Sequence, residues 1–178
     1  METSSVGERR LLCAYFALAV PPGATHIARM TATVHEYPLL ILERHLDTFG
    51  HVNNATYLDL FEEARWDLIT RGGYGIERIR QTRQGPVALE CSVRFKRELV
   101  SRVKVTIATS MVSYVGKIGR MHQEMRLADG SVACDADFTL GLFDLERRKL
   151  LEPTPAWLTS LGLAPEDWQP SGARGPGL

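Results

Sequence analysis

LDTFGHVNNATYLDLFEEAR, residues 46–65, joins a tight turn to the start of a long amphipathic helix. Asp47 precedes a turn through Gly50 and His51, and Asn53 and Asn54 follow as capping residues, whose side-chain oxygens accept from first-turn amides. Beyond them Tyr57, Leu60, Phe61, Ala64 and Leu68 fall on one face at helical spacing, with Thr56, Asp59, Glu63, Asp67 and Thr70 opposite. Gly72 and Gly73 stop the pattern. A helix over 55–71 is roughly 25 Å long. Trp66 projects toward the polar side and suggests a subunit contact.

The chemistry of this stretch lies where turn and helix meet. A helix capped at Asn53 or Asn54 leaves the N–H groups of Ala55, Thr56 and Tyr57 without intrahelical acceptors, and the helix dipole adds to their preference for negative charge. A thioester carbonyl becoming an oxyanion is such a group, and one well-placed donor contributes about 3 kcal/mol to an acyl-transfer transition state. The turn through Gly50 folds the Asp47 carboxylate back toward the same point, where it either attacks the carbonyl or deprotonates a water. Simpler roles stand beside these. Aspartate favours turns in its own right, His51 is a natural turn hydrogen-bonder, and Glu62 and Arg65, three positions apart, suit a structural ion pair.

Other patterns narrow the field. His45, Asp47 and His51 match no strong metal-ligand spacing, and with neither a Walker pattern nor GxGxxG the glycines form no phosphate-cradling loop. Lysine plus arginine and aspartate plus glutamate number 21 each, so no global field draws the chain to nucleic acid or an anionic membrane. Arg94, Lys96, Arg97, Arg102 and Lys104 cluster where two strands meet, as strand-edge charges or as a coenzyme A phosphate site. Cys13, Cys91 and Cys134 lack paired spacing and fit reduced thiols in a cytoplasmic protein.

With 178 residues, the chain is most simply one domain over residues 30–168. Residues 1–29 carry Arg9 and Arg10 before the apolar run Leu11–Val20. They imitate a secretory signal or form an extension upstream of a start at Met30, the reading adopted. Residues 169–178 lack apolar anchors and read as a disordered tail.

Between these limits a strand is expected over 34–43, with Pro38 at an edge or bulge. Four more alternate cleanly after the helix. Val87, Leu89, Cys91, Val93 and Phe95 share one face. Val103, Val105, Ile107 and Met111 share the next, followed by Met121, Met125 and Leu127, then by the even-numbered residues 132–142. Asp129-Gly130 marks a hairpin. The order is β-α-β-β-β-β in a mainly antiparallel sheet covered by one helix.

The pattern D-x-x-G-H-V-N-N-x-x-Y-x-x-x-F-E-x-A-R, Asp47 to Arg65, resembles the signature of hotdog-fold acyl-CoA thioesterases of the 4-hydroxybenzoyl-CoA thioesterase-like family. Plant acyl-acyl-carrier-protein thioesterases carry a similar HVNN element. The resemblance implies an α+β hotdog fold, an antiparallel sheet of about five strands wrapped around a long central helix. It also implies thioester hydrolysis without a cofactor, an acyl-CoA substrate, and homodimers or homotetramers with sites at subunit interfaces. Asp47 matches the catalytic acidic residue and His51 the histidine of the HVNN form, in a catalytic or structural part. Asn54 matches the position that opens the helix, where relatives often place tyrosine or histidine, so the backbone role is what carries over. Gly50, Asn53 and Ala55 then surround the acyl carbonyl, Tyr57 and Phe61 line the acyl path, and Glu62 and Arg65 flank it. Two rivals remain: a hotdog hydratase or dehydratase acting on enoyl or hydroxyacyl thioesters, and a non-catalytic acyl-CoA-binding domain.

Overall fold

The computed structural model describes residues 33–171. The expectations for residues 1–29 and for the tail beyond Ser171 lie outside them. The first strand, β1 (His35–Leu40), is shorter than the stretch that reads as extended, because the chain turns into a 3₁₀ helix at Glu43–His45. Then come α1 (Asn54–Arg71), α2 (Ile76–Thr82), β2 (Gln84–Phe95), β3 (Lys104–Val115), β4 (Ile118–Leu127), β5 (Val132–Asp144), β6 (Lys149–Leu151) and α3 (Pro155–Ser160). The strands form one antiparallel sheet in the order β1-β3-β4-β5-β2, with β6 also on β5. Pro38 sits in β1, an edge strand, where its missing N–H costs no ladder bond.

The apolar face of α1 is buried as its spacing predicts: Tyr57, Leu60, Phe61, Ala64 and Leu68, joined by Ile69. It packs on the inner faces of β3, β4 and β5, where Ile107, Met125, Ala136 and Phe138 stand. One polar side chain crosses the interface. The buried amide of Gln123 donates to the Phe61 carbonyl (3.1 Å) and to Thr109 Oγ1 (2.9 Å), and its oxygen accepts from Arg65 Nη1 (2.8 Å). All the amide's main bonding capacity is used, which is what makes its burial tolerable.

Three features depart from the sequence reading. A bulge between Ala88 and Glu90 resets the alternation of β2, so Ala88 and Pro86 stand opposite the inward Leu140 and Leu142, and Val87 and Leu89 leave the face of Cys91 and Phe95. Two short helices and a sixth strand join the expected elements. Finally, Gln169 is tied down rather than opening a disordered tail, because Gly116 N–H donates to its carbonyl (2.9 Å) while Trp168 Nε1 donates to the Gly116 carbonyl (2.9 Å).

The C-terminal segment closes one end of the core. Trp157 packs edge-on against Tyr74 and donates to Tyr114 Oη (3.1 Å), and α3 abuts the end of α1. The approach is close: a Cβ on Gly72 meets Ser160 Cα at 2.5 Å and its carbonyl oxygen at 2.7 Å. Gly73 has φ +82° and no atom within 4 Å of such a Cβ.

On the outer face a chain of charges crosses three strands. Arg94 bonds Asp135 and Asp137 (both 2.5 Å), His122 lies between Asp137 (2.7 Å) and Glu124 (3.3 Å), and Arg126 holds Glu124 (2.8 Å). Burial pushes the Asp137 and Glu124 carboxyls up, but hydrogen bonds from Arg94, His122 and Arg126 outweigh it and hold both below the usual carboxylate range.

Gly72→Ala is expected to cost about 2 kcal/mol in urea unfolding through overpacking against α3, and Gly73→Ala about 1 kcal/mol through backbone strain alone. Because folding lowers the Asp137 and Glu124 pKa values, their contribution is complete above the unfolded carboxylate values near 4 and is lost as pH falls through the lowered ones. The melting temperature of the Asp137→Asn protein should therefore change less than wild type between about pH 5 and pH 3, and parallel curves contradict this account.

Candidate active site

The motif loop folds on itself before it meets the helix. Asp47 N–H donates to the His51 carbonyl (2.8 Å) and Gly50 N–H to the Asp47 carbonyl (3.1 Å). Gly50 takes φ +80°, the left-handed region open to glycine. Asp47 Oδ1 accepts from the amides of Phe49 (2.8 Å) and His51 (3.4 Å). The turn role of Asp47 is therefore real, and it fixes the carboxylate. The other oxygen, Oδ2, has no hydrogen-bond partner among the described residues.

Two backbone bonds place this turn. Asn53 N–H donates to the His45 carbonyl (3.0 Å), and Val52 N–H to the carbonyl of Leu99 (2.8 Å), which is 1% exposed. The second bond brings the loop after β2 alongside the motif. An open cleft of about 330 Å³ results, lined by Asp47, His51, Asn54 and Tyr57 from the motif and by Phe95, Lys96, Arg97 and Glu98 from the other strand end. Lys96 and Arg97 belong to the basic cluster read from the sequence, whereas no local pattern marks Phe95 or Glu98 as part of a site. Only the long-range pairing of β2 with β5, Phe95 opposite Cys134, brings them here.

At the helix start the donors differ from the expected set. Ala55 N–H is taken by the side chains of Asn53 (2.9 Å) and Asn54 (3.0 Å), and Tyr57 N–H bonds the Asn53 carbonyl (3.3 Å). The capping asparagines thus consume one amide and the first helical bond another. Among the described residues, the amides of Asn54 and Thr56 remain without a protein acceptor. His51 Nε2 faces Glu98 Oε2 at 3.3 Å. Tyr57 stacks edge-on with Phe95, ring centroids 5.2 Å apart, and burial pushes its hydroxyl up to about 12, so it stays protonated at neutral pH. Phe49, at the tip of the turn, is 84% exposed.

Three expected site residues lie elsewhere along α1. Phe61 is in the core against Phe138. Glu62 and Arg65 do not form an ion pair: Glu62 accepts from Trp66 Nε1 (3.2 Å), while Arg65 bonds Gln123 and covers the Phe138 ring at 4.1 Å. Both line a second cavity near the far end of the helix. His45 turns inward, its Nδ1 accepting from Leu42 N–H (3.1 Å). Of the basic cluster, Arg94, Lys96, Arg97 and Arg102 each hold a carboxylate: Arg94 and Lys96 share Asp135, Arg97 reaches Asp129 (3.4 Å) and Arg102 reaches Glu43 (2.8 Å). That favours a role in the sheet over one with phosphates.

The sequence profile of the thioesterase-like superfamily matches residues 42–161. Long-chain acyl-CoA thioesterase FadM of Escherichia coli (strain K12) is 32% identical over 108 residues, 60% of this chain and 81% of that protein. The crystal structure of YbaW, a probable thioesterase from Escherichia coli, superposes with a TM-score of 0.65 at 27% identity over 72% of this chain and 98% of that one. The hypothetical protein SAV2348 from Staphylococcus aureus, solved in complex with CoA, shares the fold at 14% identity, with a TM-score of 0.70 over 84% of this chain and 98% of its own. A turn-and-helix motif set on this sheet, matched over most of its length, makes the chain a hotdog-fold thioester hydrolase of the thioesterase-like superfamily.

Proposed function

We propose that the protein hydrolyses acyl-CoA to a free acid and CoA in the cleft between the motif turn and the start of α1, with Asp47 as base or nucleophile. The observation that carries this is the state of Asp47: one oxygen is held by two amides of its own turn, and the other has no protein partner. A carboxylate so oriented faces a lower entropic barrier to reaction than a mobile one. The acyl carbonyl sits against the Asn54 and Thr56 amides. Water, deprotonated by Asp47, or the carboxylate itself adds to the carbonyl carbon and drives charge onto its oxygen. Collapse of that adduct breaks the C–S bond and releases the thiolate of CoA. If Asp47 is the nucleophile, water then cleaves the acyl-aspartyl anhydride and regenerates the carboxylate. The Tyr57 hydroxyl and His51 border the reacting group as hydrogen-bonding neighbours, and Gly50 supplies the turn that aims Asp47.

A relative and the strand order support a substrate and an assembly. The match to FadM, whose name records acyl-CoA as its substrate, supports CoA as the thiol carrier. A homodimer formed through β2 is supported by that strand's position, since among the described residues it pairs with β5 alone and its other edge is open. Among the described residues Cys91 and Cys134 are free, and unpaired thiols accord with a reducing, cytoplasmic setting. Among the described residues no helix is long and apolar enough to cross a membrane.

Asp47→Asn should lower kcat for thiol release from acyl-CoA by at least about a thousandfold while melting temperature and oligomer mass stay unchanged. Turnover close to wild type in that variant refutes the assignment, and hydration of crotonyl-CoA without thiol release by the wild type points instead to a hydratase. In sedimentation equilibrium a species near twice the 19.9 kDa chain mass is expected, and a monomer at every concentration rules out the β2 dimer.

A further inference from the structure

One residue of the loop after β2 is pinned to the motif on both sides. Val52 N–H donates to the Leu99 carbonyl (2.8 Å), and Leu99 N–H donates to the Tyr57 hydroxyl. Leu99 is 1% exposed, so water does not compete freely for either bond. Glu98 is its neighbour in the chain. The Glu98 backbone is thereby held at the rim of the Asp47 cleft, and its side-chain torsions alone are left to adjust.

The Glu98 carboxylate meets the motif at His51, whose Nε2 lies 3.3 Å from Oε2. The cations beside it in the chain are engaged elsewhere: Lys96 holds Asp135 and Arg97 reaches Asp129 (3.4 Å). Burial dominates the upward push on the Tyr57 hydroxyl, and the Glu98 charge adds to it, which places the carboxylate near both polar side chains of the cleft. His51 is fixed as well. Its N–H donates to Asp47 Oδ1 (3.4 Å) and its carbonyl accepts from Asp47 N–H (2.8 Å). Its Nδ1 has no hydrogen-bond partner among the described residues. An ionised carboxylate only accepts, so the ring nitrogen that faces it is the one that carries hydrogen.

We infer that Glu98 is a positioning residue for the hydrolysis: it keeps the ring hydrogen of His51 on Nε2 and so leaves Nδ1 as the acceptor for the attacking water. The inference rests on the reading above that His51 borders the reacting group. A water attacks in either route open to Asp47, on the thioester itself or on the acyl-aspartyl anhydride. In the other tautomer Nδ1 presents a hydrogen, and the acceptor is lost. The pair is open to solvent, with the Glu98 side chain 75% exposed, so it contributes little to stability. Its effect falls on turnover.

Nitrogen-15 NMR of the full chain at about pH 8 reads the tautomer directly. The His51 ring, identified by its loss in His51→Ala, should carry hydrogen on Nε2 and none on Nδ1, and Glu98→Ala should turn it into a mixture of tautomers. In thiol-release assays over a panel of acyl-CoA thioesters, Glu98→Ala should lower kcat by about tenfold to a hundredfold, with KM within about twofold and the melting temperature unchanged. Introduced into the His51→Ala protein, the same substitution should change kcat by less than about twofold, because the two residues act as one unit. Hydrogen on Nδ1 in the wild type, a ring signal that Glu98→Ala leaves unchanged, kcat close to wild type in Glu98→Ala, or an undiminished further loss in the His51→Ala background overturns the assignment. If the wild type releases thiol from no acyl-CoA, the hydrolase reading fails and the positioning role fails with it, whereas a working hydrolase with the wrong tautomer rejects the role of Glu98 alone.

Discussion

A single backbone hydrogen bond, from Val52 N–H to the Leu99 carbonyl, ties the two halves of the site together. On one side is the turn that carries Asp47 and His51. On the other is the loop that follows β2 and brings Phe95, Lys96, Arg97 and Glu98. Leu99 is itself buried, so its carbonyl is a fixed acceptor, and leaving it unpaired would carry a desolvation penalty of about 1–3 kcal/mol. The bond also sets the direction in which α1 starts, since Asn53 follows Val52 directly and caps the helix. Position, capping and cleft are therefore one problem with one solution.

The Gln123 amide plays the corresponding role deeper in the molecule. An all-apolar contact between helix and sheet would allow α1 to slide or rotate by a residue at modest cost. An amide that binds the Phe61 carbonyl, Thr109 and Arg65 at once is satisfied in one arrangement only. It also anchors Arg65, which has no carboxylate within ion-pair distance among the described residues, through a hydrogen bond and the face of Phe138. Burial of the guanidinium pushes its pKa down, although not far enough to discharge an arginine under ordinary conditions.

Much of this was legible in the residues themselves, and the exceptions have physical causes. The buried face of α1 follows from spacing alone, and β4 keeps its alternation throughout, whereas β3 keeps it only as far as Met111 and β5 only from Cys134 on, because register shifts reset the pattern there. Leu89 misleads because a bulge is a local insertion that leaves composition untouched. Trp157 and Leu161 sit on a short C-terminal stretch whose apolar residues find partners only in three dimensions. Within the site, Asp47 and the capping asparagines are visible in the motif. The loss of the Ala55 amide to those same asparagines is not, because a pattern that signals capping does not say which amide each side chain takes. Glu98 and Phe95 are distant in the chain and carry no signal of their own.

The strand register also bears on how the chain reaches this state. β3, β4 and β5 meet through the Gly116-Lys117 turn and the Ala128–Ser131 turn, so their ladders close over short spans of chain. β2 must find β5 across everything between them, with Gln84 opposite Asp144. Closing so long a loop costs more entropy than closing either hairpin, and no contact compensates until the strands are aligned. The three-stranded meander is thus the natural scaffold for assembly, and the strand that completes the cleft is the one whose docking is entropically most expensive.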